Sequence, residues 1–178
     1  MNDIKLVLPN VKYKDSFLSA IPEFRALENK IWQDQNMADM DDNMSESEFS
    51  DYLKGIHDRI KSETNRKLTY WLIDEDGWAG TIRIRPNLSK EQAEDFGHIG
   101  YEVRPSKRGQ GYAKRMIRFA LAECAKIGIS KVCFACDNNN ISSKRSITAI
   151  FNEFGGDDSW TYGLDSNDYH CWINTEKK

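Results

Sequence analysis

Hydrophobic and polar positions along the chain follow the pattern of an α/β fold. An apolar run at residues 4–8, "IKLVL", predicts a strand, and a polar stretch of mostly helical character follows from residue 11 to 64. Three segments with strand character come next, "LTYWLID", "DGWAGTIRIRP" and "GHIGYEVRP", with turn residues between them. We therefore predict three consecutive strands joined by short connections.

The period of the pattern changes after Gly111, where apolar residues recur at helical spacing as far as Ile127. Gly128 is a candidate C-cap for this helix. The segment "KVCFACD" predicts a buried strand, and Ser142 or Ser143 is a candidate N-cap for a second helix. That helix ends at two glycines, and late strands are expected near 158–164 and at "YHCWI". The order of elements is α/β, without an internal repeat.

Size and charge limit the classes of function. A chain of 178 residues with 39% hydrophobic content is long enough for one well-packed core, which predicts a single domain over residues 1–178. A net charge of −3 and a pI near 5.7 argue against a nucleic-acid partner. No apolar run reaches membrane-spanning length and the first residues do not resemble a secretory signal, so we expect a cytoplasmic protein with no membrane partner.

Cys133 and Cys136 form a C-x-x-C motif, which suggests a metal or redox site. Residues three apart on a strand point to opposite faces, so these two sulfurs would not converge on one ion. No second ligand pair follows at zinc-finger spacing. We predict buried structural thiols and no metal site.

Residues 104–116, "RPSKRGQGYAKRM", place two glycines where a strand passes into a helix. The first amides of a helix are unpaired and lie at the positive end of its dipole, and glycines at 109 and 111 would let a phosphate approach the backbone. A tight turn with exposed basic residues is the other interpretation. No Gly-Lys-Ser/Thr follows, so the stretch is not a Walker loop.

Arg108 to Ala113 resembles the Q/R-x-x-G-x-G/A cofactor loop of the GNAT superfamily of N-acetyltransferases, preceded by a V-x-P at Val103 to Pro105. With the later "CDNNNISS" and "FGG", the chain is similar over most of its length to a bacterial predicted-acetyltransferase subgroup of that superfamily. The resemblance implies a GNAT-like acyl-CoA N-acyltransferase fold, with a central, twisted, mostly antiparallel sheet flanked by helices. It also implies transfer of an acetyl group from acetyl-CoA to a primary amine by direct attack.

The resemblance also implies which residues bind acetyl-CoA. By position, the amides of Gln110, Gly111, Tyr112 and Ala113 contact the pyrophosphate, with Gly109 leaving room for it, and the strand edge from Tyr101 to Val103 pairs with the pantetheine arm. Arg108, with Lys107 and Lys114, is expected to add charge toward the phosphates, although solvated basic residues are an equal alternative for each lysine. Asn140 and Ser143 are assigned to the pantetheine and adenosine side.

The chemistry needs a base for the acceptor ammonium and a proton source for the departing thiolate. His98 and Glu102 would share one face of the fourth strand, and either is a candidate base, directly or through water. The alternative for His98 is a half-exposed strand histidine bonded to a neighbouring backbone. Phe151 stands where many members of the family have a tyrosine that protonates the thiolate. Either Tyr112, Tyr162, Tyr169 or water replaces it, or the enzyme has no dedicated acid.

Residues 34–51, "DQNMADMDDNMSESEFSD", carry seven acidic side chains and no Lys or Arg. The resemblance places this stretch at the acceptor side of the cleft, where its charge would attract a cationic small-molecule or peptide amine. A solvated loop with no partner is the alternative. The sequence leaves a homodimer open.

Two other classes of function stay open beside the transferase. One is a GNAT-fold module that binds acyl-CoA as a sensor or regulator, which the phenylalanine at position 151 keeps in consideration. The other is an α/β interaction domain that binds no CoA.

Overall fold

The computed structural model describes residues 4–137, 139–157, 161–162 and 168–177. The strands are β1 Lys5–Val7, β2 Leu68–Asp74, β3 Gly77–Ile84, β4 Ile99–Val103, β5 Lys131–Asp137, β6 Thr161–Tyr162 and β7 Asp168–Asn174. The α-helices are α1 Lys14–Leu18, α2 Ile21–Arg25, α3 Trp32–Ala38, α4 Glu46–Lys61, α5 Lys90–Phe96, α6 Tyr112–Lys126 and α7 Ile141–Phe154. The predicted α/β class is confirmed.

The strands form two sheets, one with the order β1-β2-β3-β4 and one with the order β5-β7-β6. β1 runs antiparallel to β2, with Leu6 opposite Leu72. β7 runs antiparallel to both β5 and β6, with Cys171 opposite Phe134 and His170 opposite Thr161. Of the strand region predicted near 158–164, only 161–162 lies within the described residues.

The contacts divide the chain into two compact units. Unit 1 comprises Met1–Ile82 and Tyr101–Tyr112, and unit 2 comprises Arg83–Gly100 and Ala113–Lys178. β3 and β4 each continue from one unit into the other.

Aromatic side chains form the core of unit 1. Phe17 stacks on Trp71 with ring centroids 4.9 Å apart and meets the edge of Trp78 at 5.1 Å. Phe24 and Phe49 complete this cluster, and all five rings are fully buried. Because aromatic rings bury large apolar areas, this cluster holds α1, α2 and α4 against the sheet strands β2 and β3.

In unit 2, α5 contacts β5, and α7 contacts both β5 and β7. Apolar spacing predicts one face of α7 from Ile147, Ile150, Phe151 and Phe154; the first two and Phe154 are buried, whereas Phe151 is half-buried. Phe134 on β5 and Ile173 on β7 are also buried.

Two local predictions were wrong. Ser142 and Ser143 do not cap α7, because its N-cap is Asn140, whose side-chain Oδ1 accepts a hydrogen bond from the Ser143 amide at 3.1 Å. The connection between β3 and β4 is not short, since it contains α5, which starts at a capping box between Ser89 and Gln92. The Ser-x-x-Gln spacing was the sequence signal for this helix.

Candidate active site

The glycine loop, residues 108–111, joins a 3-10 turn at Pro105–Lys107 to the first residue of α6. Gly109 and Gly111 have φ of +79° and +78°, a conformation that other residues rarely adopt. A Cβ atom built on either glycine would meet no heavy atom within 4 Å. The glycines are therefore required by the backbone conformation, and the space beside them is open to a ligand.

The first turn of α6 favours an anion. It contains no acidic residue, and its amides have no intrahelical partner. Lys114 and Arg115 lie in this turn and form no ion pair with the described residues. Sequence reasoning named Lys114 but missed Arg115, for which the position in the first turn was the signal.

Carboxylates engage the basic residues that precede the loop. Arg108 Nη2 lies 2.6 Å from Oδ1 of Asp34, and its Nε donates to the Val103 carbonyl at 3.2 Å. Lys107 Nζ lies 2.9 Å from Oδ2 of Asp74 and also contacts Asp76, and these carboxylates raise the pKa of Lys107. Both side chains were expected to face the phosphates, but each one is paired within unit 1.

Arg104 is held in the same way by Glu23. Its Nε lies 2.6 Å from Oε1 of Glu23, and the Ser106 amide donates to Oε2 at 2.9 Å. Burial opposes ionisation of Glu23, but the hydrogen bonds from Ser106 and Arg104 outweigh it and lower the pKa. The chain that enters the glycine loop is therefore fixed by a series of ion pairs.

Tyr112, the first residue of α6, directs its hydroxyl to Asp74. The hydroxyl donates to Oδ2 at 3.0 Å, and the side chain is buried. This contact leaves Tyr112 poorly suited to protonate a thiolate. The two other candidates, Tyr162 and Tyr169, belong to β6 and β7, and their side chains are outside the described part of the structure.

His98 lies one residue before β4 and is bonded to β5. Its amide donates to the Cys133 carbonyl at 2.7 Å, and its Nδ1 accepts from the Cys133 amide at 3.1 Å. Because a backbone amide can only donate, Nδ1 carries no proton and the neutral ring is protonated at Nε2. The ring also meets the edge of Trp172 at 5.7 Å.

This arrangement limits what His98 can do as a base. Burial, and then the charge of Arg85, lower the pKa of His98. Uptake of a proton at Nδ1 would break the bond from Cys133. His98 is buried rather than half-exposed, but its bond to the backbone agrees with the alternative interpretation of this residue.

Glu102 lies within β4, and only 5% of its surface is exposed. A carboxylate within reach of an ammonium group is chemically suited to accept its proton. Tyr101 and Val103, on either side of it, are half-buried.

The acidic stretch at residues 34–51 is a folded segment containing the end of α3 and the start of α4. Most of its carboxylates have partners inside the chain: Asp34 with Arg108, Asp42 with Arg25, Glu46 with Lys14, and Glu48 in a capping box with Ser45. Asp39 and Asp41 are exposed and bond only within the segment, to Gln35 and to the Asn43 amide. The charge available to a ligand is therefore smaller than the sequence suggests.

The four cysteines, Cys124, Cys133, Cys136 and Cys171, are buried thiols that form no disulfide with one another, and burial is as predicted for the C-x-x-C pair. Burial raises the pKa of Cys133 and of Cys171 to about 12, which makes them unreactive as thiolates at neutral pH. Within the described ranges, no group of side chains has the composition of a metal site. None of the helices described is both long and apolar enough to cross a membrane.

A family model described as "Acetyltransferase (GNAT) family" matches residues 22–148. A search of curated protein sequences gives no match. Among solved structures, the chain is similar to the microcin C7 self-immunity acetyltransferase MccE in complex with acetyl-CoA and AMP, with 16% identity and a TM-score of 0.66 over 96% of this chain and 92% of that one. It is also similar to Mycobacterium smegmatis RimJ in complex with CoA-disulfide, with 14% identity and a TM-score of 0.67 over 96% of this chain and 81% of that one.

A third similar structure is a chimera of the spermidine N-acetyltransferase SpeG from Vibrio cholerae and hSSAT. It is 10% identical, with a TM-score of 0.60, and the match covers 97% of this chain and 95% of the chimera. At these identities the three structures support the fold alone.

Proposed function

Because this chain belongs to the acetyltransferase (GNAT) family, we propose that it transfers the acetyl group of acetyl-CoA to a primary amine by direct attack. The family match confirms the family and the enzyme class that the sequence predicted. It covers residues 22–148, which include the glycine loop, and this match is the observation that carries the proposal.

The residues of the glycine loop suit the donor. Open space beside Gly109 and Gly111 leaves room for a pyrophosphate, and the first amides of α6 would donate to it. Lys114 and Arg115 supply positive charge that no carboxylate among the described residues neutralises by an ion pair. We assign Arg108 to the support of the loop, since its guanidinium is paired with Asp34. Tyr101 to Val103 pair with the pantetheine arm, and Ser143 with Asn140, which also caps α7, serve the adenosine side.

We assign the base to Glu102. In the reaction the amine nitrogen attacks the thioester carbonyl, a C–N bond forms and the C–S bond breaks. Before the attack, the acceptor ammonium passes one proton to the Glu102 carboxylate, directly or through one water. After the attack, the nitrogen releases a second proton to solvent, and the thiolate takes its proton from solvent. Glu102 is preferred over His98 because the only unprotonated ring nitrogen of His98 accepts the Cys133 amide.

We propose a cationic acceptor amine. The exposed carboxylates of Asp39 and Asp41 support this proposal, because negative charge near a site concentrates cations. The spermidine acetyltransferase chimera among the similar structures is named for a polyamine acceptor. A peptide N-terminus and a lysine side chain carry the same positive charge, so both are included among the proposed acceptors.

We further propose that residues 1–178 form one acetyltransferase domain. The family match supports this because it runs through parts of both units. Four buried cysteines that remain as thiols suit the reducing cytoplasm, where we expect the enzyme to work. A homodimer stays a prediction, which sedimentation would test.

The deciding experiment mixes the protein with acetyl-CoA and a panel of amines that contains polyamines, an aminoglycoside and lysine peptides. We expect release of free CoA thiol that depends on one class of amine, together with an acetylated amine in the mass spectrum. Binding of acetyl-CoA with no transfer to any amine would favour the sensor function. Absence of CoA binding would favour an interaction domain.

A further inference from the structure

The carboxylate of Asp74 contacts the side chains of the two residues that flank the glycine loop. Lys107 directly precedes residues 108–111 and Tyr112 directly follows them. Oδ2 of Asp74 lies 2.9 Å from Lys107 Nζ and accepts the Tyr112 hydroxyl at 3.0 Å. We call Asp74, Lys107 and Tyr112 the loop clasp.

The clasp is shielded from water and anchored in a sheet. The Asp74 side chain is 1% exposed and that of Lys107 is 15% exposed. Oδ1 of Asp74 accepts the Asp76 amide at 2.9 Å, so both carboxylate oxygens are satisfied. Asp74 is the last residue of β2, an interior strand of the four-stranded sheet, and residues on such strands are held more rigidly than residues on loops.

The loop needs such support because of its composition. Two of its four residues are glycines at positive φ, and glycine loses more conformational freedom on ordering than any other residue. A loop that is already ordered binds its ligand without that entropy cost at the moment of binding. Contacts at residues 107 and 112 fix the distance that the loop must span.

We infer that Asp74 is a positioning residue for the acetyl donor. By holding Lys107 and Tyr112, it keeps the amides of the glycine loop in the arrangement that receives the pyrophosphate, while both partners serve the clasp rather than the phosphates. This inference rests on the proposed function, because it requires that the loop binds CoA.

The test compares Tyr112→Phe and Asp74→Asn with the wild-type chain. Tyr112→Phe removes one hydroxyl and keeps the buried ring, whereas Asp74→Asn removes the negative charge that pairs with Lys107 and weakens the charge-assisted bond from the Tyr112 hydroxyl. We expect the CoA Kd, measured by calorimetry, and the KM for acetyl-CoA to rise about tenfold in each variant, with kcat at saturation nearly unchanged. The two losses should not add fully in the double variant, because both changes act on the contact between Tyr112 and residue 74.

Glu153→Gln is the matched control. Glu153 on α7 also holds two partners, Arg118 at 2.6 Å and Lys177 at 2.8 Å, but neither flanks the loop. We expect its loss to leave the CoA Kd unchanged.

Each outcome decides between the two proposals. A wild-type chain that binds no CoA would overturn the proposed function together with the clasp. Wild-type binding with an unchanged Kd in Tyr112→Phe would overturn the clasp alone, and this variant decides if Asp74→Asn does not fold. If the apparent kcat of Asp74→Asn falls in proportion to the loss of folded protein while its KM for acetyl-CoA is unchanged, Asp74 has only a structural role.

Discussion

Replacement of Gly111 by valine tests the glycine loop, because a glycine in the same backbone conformation is available as a control. Gly111 and Gly128 have φ of +78° and +82°, and a Cβ on either would meet no heavy atom within 4 Å. Valine in this conformation costs about 1–3 kcal/mol at either position. For a chain of this size, each kcal/mol lowers Tm by roughly 2–4 °C, so both variants should lose stability to a similar extent.

Acetyl-CoA should raise the Tm of Gly128→Val but hardly that of Gly111→Val. At a concentration about 100 times Kd, the ligand stabilises the wild-type protein by about 2.7 kcal/mol, which raises Tm by roughly 5–10 °C. The valine side chain of Gly111→Val enters the open space beside the loop and denies the phosphate about two charge-assisted hydrogen bonds, which weakens binding about 100-fold. The stabilisation then falls to about 0.4 kcal/mol, a shift of roughly 1 °C.

The assay is differential scanning fluorimetry with and without acetyl-CoA, with calorimetric Kd values as a second measurement. Gly128→Val should keep the full ligand-induced shift from its lowered starting Tm. Equal shifts in the two valine variants would refute the assignment of the phosphates to this loop, because backbone strain is the same in both.

Three further results are expected. Glu102→Gln should lower kcat about tenfold or more. His98→Asn should keep most of the activity, because the asparagine oxygen can accept the hydrogen bond from the Cys133 amide. A larger loss of kcat in His98→Asn than in Glu102→Gln would make His98 the base. The free energy of unfolding should fall as pH drops below about 6.5. The pKa of His98 is lowered in the folded protein, so its imidazole takes up a proton in the unfolded chain at a higher pH than in the folded one. In urea titrations, His98→Asn should therefore show a weaker dependence of stability on pH. Changing Asp39 and Asp41 together to Asn should raise the acceptor KM at low salt only, without changing the KM for acetyl-CoA; no change at any salt concentration would exclude an electrostatic role.

The active-site candidates show where sequence reasoning was limited. Charge along the chain is visible in the sequence, but the partner of each charge is not. Arg108 and Asp34 are 74 positions apart, and Tyr112 and Asp74 are 38 apart, so only folding brings each pair together. The sequence therefore indicated phosphate binding by Lys107, Arg108 and Lys114, whereas the fold pairs the first two with carboxylates and gives Lys114 no ion pair among the described residues.

His98 and the acidic stretch show the same limitation. A histidine near a predicted strand has the pKa of a base, but whether its nitrogens are available depends on β5, which lies 35 residues away along the chain. Residues 34–51 form an acidic run in the sequence, but the fold pairs Asp34, Asp42 and Glu46 with basic side chains and leaves Asp39, Asp41 and Asp51 exposed.

Local periodicity and turn chemistry determined most of the elements from the sequence alone. Apolar spacing predicted α6 and α7, and apolar runs and alternation predicted β2 to β5. Two glycines between a strand and a helix marked the loop. Each of these signals arises from neighbouring residues. The tertiary structure alone decided which side chains meet: Asp74 with both ends of the loop, Glu23 with Arg104, and His98 with Cys133. Such contacts depend on the packing of elements distant in the chain, and no local pattern encodes them.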